Sequence, residues 1–63
     1  MPITDVKVKL VGEDGNAFSI IGRVRRELRR AGRADLVEEF TKEATSGDYN
    51  KVLQTAMKYV DVE

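Results

Sequence analysis

The stretch Ile3-Thr4-Asp5-Val6-Lys7-Val8-Lys9-Leu10-Val11 decides the fold class. Val6, Val8 and Leu10 alternate with Lys7 and Lys9, the period of two expected of a strand with one buried face. The lysines also oppose pairing with other chains along an open edge. At the far end, Lys58-Tyr59-Val60-Asp61-Val62-Glu63 returns to the same period, with Val60 and Val62 set against Asp61, and predicts a second short strand. Everything between has helical periodicity, so the order is strand, helix, helix, helix, strand. A lone two-stranded sheet is marginal in water, so the helices must cover one of its faces. The reading is α+β, a single domain over residues 1–63, with the two terminal strands paired and expected antiparallel. Three intervening helices permit either direction, and pairing across a homodimer through the strand edges is the other open arrangement.

The first helix is expected over residues 17–31. Ala17, Ile20, Ile21, Val24, Leu28 and Ala31 form an apolar stripe about 100° wide. Asn16 or Asp14 serves as its N-cap and Gly32 as its left-handed stop. A second helix over residues 35–45 starts near Asp35, buries Leu36, Val37, Phe40 and Ala44, and ends by Gly47. Asp48 caps a third, with Tyr49, Val52, Leu53, Ala56, Met57 and Val60 on one face. All four aromatic residues, Phe18, Phe40, Tyr49 and Tyr59, are expected near core positions, which leaves no stacking platform for single-stranded nucleic acid.

Composition removes several kinds of chemistry. The 63 residues include no cysteine and no histidine, so disulfides, Cys/His zinc sites and imidazole or thiol catalysis are excluded. Ser19 and Ser46 have no histidine to activate them. A domain of this size has little room for a catalytic pocket of about 300 Å³. A non-enzyme with no cofactor is expected. No stretch approaches the roughly 20 apolar residues of a membrane span. Met1-Pro2-Ile3-Thr4-Asp5-Val6-Lys7-Val8-Lys9-Leu10 has no apolar leader segment, so a cytoplasmic location is expected.

In Gly12-Glu13-Asp14-Gly15-Asn16 the glycines predict a turn. Its acids oppose phosphate, and it lacks the lysine of a P-loop and the ligand ladder of a calcium loop. Helix capping is the reading kept. Over Leu10-Val11-Gly12-Glu13-Asp14-Gly15-Asn16-Ala17-Phe18, Gly22, Leu28-Arg29-Arg30-Ala31-Gly32, Thr45-Ser46-Gly47-Asp48-Tyr49 and Leu53-Gln54-Thr55-Ala56, the chain resembles a group of small hypothetical proteins of bacterial genomes, phages and mobile elements. The Gly-Glu-Asp-Gly-Asn-Ala-Phe run is its most specific part. The resemblance covers most of the chain and implies an accessory protein rather than a known enzyme. It supplies no catalytic or binding residues.

Charge is the one strong asymmetry. Eleven basic and eleven acidic residues cancel overall, yet residues 7–33 carry +5 and residues 34–63 carry −4. With Arg23 at zero on a helical wheel, Arg25, Arg26, Arg29, Arg30 and Arg33 fall near about 200°, 300°, 240°, 340° and 280°, opposite an apolar stripe centred near 110°. These five form the candidate macromolecule-binding face. Guanidinium groups suit carboxylate and phosphate alike. A protein partner is the leading expectation, through this face or an open strand edge, with nucleic acid the alternative. Against nucleic acid stand the neutral balance and Glu38, Glu39 and Glu43 on the second helix. Gly22, near 260°, costs its helix about 1 kcal/mol relative to alanine. A close approach by another backbone or partner, or a kink, is the expected reason.

Overall fold

The structure, a computed structural model, describes residues 2–10 and 16–63. The elements are β1 (Lys7–Val8), α1 (Ala17–Arg30), a 3-10 turn (Ala34–Leu36), α2 (Val37–Ala44), α3 (Tyr49–Tyr59) and β2 (Asp61–Val62). The expected order and the α+β class hold. The turn expected at Gly12 to Gly15 and the Asp14 cap lie outside the described residues.

The expected antiparallel sheet is corrected: β1 and β2 run parallel, with Lys7 opposite Asp61 and Val8 opposite Val62. Three intervening helices permit either direction, and alternation along a strand is the same in both senses, so the sequence pattern did not choose between them. The regular strands are also shorter than the periodicity implies. Pairing continues irregularly beyond them: the amides of Ile3 and Thr4 donate to the carbonyls of Lys58 and Tyr59, and that of Leu10 to Glu63. The Thr4 hydroxyl, also bonded to the Tyr59 carbonyl at 2.7 Å, accepts from the Val6 amide and turns the chain between the two stretches. Val8 and Val60 face the helices, whereas Lys7 and Asp61 form a 3.7 Å ion pair on the exposed side.

The ends of α1 follow from single residues. The Asn16 side chain accepts from the amides of Phe18 and Ser19 at 3.0 and 3.2 Å, so Asn16 is the cap. At the other end Gly32 has φ +78°, Arg33 N–H donates to the Leu28 carbonyl and Gly32 N–H to that of Arg29. This double bond pattern is a Schellman stop, which needs a left-handed residue. The second helix starts differently from the expectation. Asp35 provides no cap: it sits in the 3-10 turn, and its carboxylate meets the Arg33 guanidinium at 3.3 and 3.4 Å. Asp48 does cap α3, accepting from the Lys51 amide at 3.2 Å.

Ile20, Val24 and Leu28 from α1, Phe40 from α2, and Val8 and Val60 from the sheet region are fully buried. Phe40 meets Tyr59 edge to face, centroids 5.5 Å apart, and the Tyr59 hydroxyl donates to Glu39 at 3.0 Å. Four expected core positions are corrected: Ala31, just past the end of α1, and Tyr49, the first residue of α3, are exposed, as are Met57 and Phe18. Met57 is 62% exposed, because Val52, Ala56 and Tyr59 define the buried face of α3 and Met57 lies to its side. Phe18 is 84% exposed.

Candidate docking surface on the first helix

The helical wheel that places the arginines also explains Phe18. It falls at about 220°, among the guanidinium groups and about 110° from the centre of the core stripe. The aromatic side chain expected near the core instead projects from the charged face. That position was readable from periodicity alone; apolar character by itself pointed the wrong way.

The five candidate arginines do not form one uniform ridge. Arg26 and Arg29 are exposed, and Arg25 is half-buried. Among the described residues no carboxylate pairs with any of these three. Arg30 is bound at 3.4 Å by Glu27 one turn back on the same helix. Arg33 lies beyond the helix end and is engaged by Asp35. The same guanidinium holds the Asp35 carboxyl below its ordinary range, chiefly through the side-chain hydrogen bond. The candidate surface therefore narrows to Arg25, Arg26 and Arg29, with Phe18 added.

Gly22 lies on this face. No atom comes within 4 Å of a Cβ built on it, and α1 is continuous through it, so neither a close approach within the chain nor a break in the helix accounts for the glycine. Its missing side chain leaves a shallow hollow of about 230 Å³ bordered by Phe18, Ser19, Arg23 and Arg26. A second, larger concavity of about 690 Å³ lies between α1 and α2. Arg25 and Arg29 line one side, and Val37, Glu38, Thr41 and Lys42 line the other. The sequence reading missed Lys42 and Glu38 as members of this surface. Nothing in their own helix marks them; only the packing of α2 beside α1 brings them to the arginines.

The other acids of the C-terminal half are largely engaged elsewhere. Glu43 accepts from Lys58 at 3.1 Å and lies 3.9 Å from Lys51, Glu39 holds Tyr59, and Asp61 faces Lys7. These acids therefore do not neutralise Arg25, Arg26 or Arg29. Among the described residues no three acidic side chains gather as a metal ion requires, and no helix is long and apolar enough to cross a membrane. Comparison with protein-family models, curated proteins and solved structures found no match.

Proposed function

We propose that this chain is a small, non-catalytic, cytoplasmic accessory protein that docks onto an acidic surface of a partner protein through the outer face of α1. The observation that carries the reading is the exposed Phe18 on the same face as Arg25, Arg26 and Arg29, none of which is ion-paired among the described residues. Aromatic and arginine side chains are the types that dominate binding energy at protein interfaces. Covering a phenylalanine that water now surrounds contributes about 1.5–3 kcal/mol. Guanidinium groups that meet no carboxylate among the described residues can take one from another chain.

Nucleic acid is the second reading, favoured by the arginines themselves. Glu38 beside Arg25 and Arg29 weighs against it, because a phosphate backbone brings only negative charge to that place.

The test is cross-linked capture by the folded protein, run beside the variants Phe18→Ser and Arg26→Gln. A discrete partner retained at raised salt by the parent and lost with Phe18→Ser is the expected result. Equal capture by all three proteins overturns the reading. Binding of random duplex DNA that disappears steeply with salt, with no protein captured, replaces it with the second.

A further inference from the structure

We infer that the groove between α1 and α2 seats a short acidic segment of the partner, its carboxylates held by Arg25 and Arg29 on one wall and Lys42 on the other. This rests on the reading of α1 as a docking face and adds the chemistry of what that face takes. The volume of about 690 Å³ admits a short peptide stretch but is far too small for a folded element. Its charges are three cations against the single carboxylate of Glu38, and the buried Val37 side chain and Thr41 lie between the walls.

Two features select a peptide carboxylate over other anions. The first is Arg25. Its Nε is buried and has no hydrogen-bond partner among the described residues. A guanidinium partly removed from water and unpaired gains more from an incoming carboxylate than a fully hydrated one does. The second is the pattern of sign. Glu38 repels a continuous polyanion, whereas a peptide carries neutral or basic groups between its acids. Spacing adds a further match. Arg25 and Arg29 are separated by a helical rise of about 6 Å. Alternate side chains on one side of an extended peptide repeat every 6.6 Å or so. An extended Glu-X-Glu segment therefore places one carboxylate at each arginine.

The probe is a short peptide of alternating Glu and Ala, with its Gln-for-Glu counterpart as control, titrated into the full ¹⁵N-labelled chain. Amide shifts are expected at residues 25–29 and 34–42. Arg29→Gln and Lys42→Glu, both at exposed positions, are expected to weaken binding about tenfold each. Lys9→Gln, at an exposed position outside the groove, is expected to leave it nearly unchanged, and the Gln peptide to bind no better than buffer. Shifts confined to residues 18–26, or equal affinity in Arg29→Gln and Lys42→Glu, overturn the groove assignment. So does absence of binding while Phe18-dependent partner capture persists, in which case the docking face itself stands. Loss of both the peptide and the capture removes the groove and the face together.

Discussion

Gly22 and Gly32 do opposite things for the same helix. Gly22 lies within α1 with open space where a Cβ would be. Alanine there restores helix propensity without a clash, so Gly22→Ala is expected to stabilise the fold by about 0.5–1 kcal/mol. Gly32 also has open space, but its φ of +78° is the obstacle. A side chain in that left-handed region costs about 1–2 kcal/mol, so Gly32→Ala is expected to destabilise by that amount. Thermal unfolding followed by circular dichroism checks both. For a chain of this size 1 kcal/mol corresponds to a shift of roughly 4–8 °C, upward for the first variant and downward for the second. A rise in Tm for Gly32→Ala would contradict the Schellman stop. The stop was legible in the sequence because only one residue type suits it. The exposure of Phe18 was legible too, but only to a reader who put its angle before its hydrophobicity.

At the scale of elements, α2 and α3 are tied by one aromatic residue and its acidic partner. Tyr59 is buried against Phe40 and donates to Glu39. Burial first, then the Glu39 carboxylate, pushes the Tyr59 hydroxyl from 10.0 up to about 12. The unfolded chain therefore releases this proton at lower pH than the folded one. Below pH 10 both states hold it, and the group adds no pH dependence. Between about pH 10 and 12 the unfolded state ionises first, so stability falls as pH rises through that window. Urea midpoints measured across the window are expected to fall more steeply for the parent than for Tyr59→Phe. Identical slopes would mean that Tyr59 does not sense the α2–α3 contact. The variant itself is expected to lose about 0.5–1.5 kcal/mol near neutral pH with the hydrogen bond. Tyr59 was readable as a core position from its spacing. Glu39 as its partner was not, because the two are far apart in sequence and only helix packing joins them.

For the whole molecule, a domain of 63 residues has a total stability of about 3–9 kcal/mol. Phe40 is the largest side chain fully enclosed by it. Phe40→Ala is expected to cost about 3–5 kcal/mol, which is comparable to the whole. Loss of most helical circular dichroism at room temperature, or a collapsed urea transition, is the expected observation. A variant that unfolds near the parent's midpoint would show that the core closes around the cavity.

What the sequence determined by itself is local: the three helices, the strand tendency at both ends, a cap for α1 at Asn16 or Asp14, the Asp48 cap, the Gly32 stop, and arginines that point away from the apolar stripe. Each depends on neighbours within a turn or two, where periodicity and backbone preference act directly. Tertiary structure alone decided which arginines meet a carboxylate among the described residues, that α2 closes a groove beside Arg25 and Arg29, and that Glu39 reaches Tyr59. It also decided strand direction, because alternation within a strand is identical in both senses and only the path of the intervening helices distinguishes them. These outcomes depend on contacts between residues distant in the chain, and no local preference encodes which distant side chain arrives.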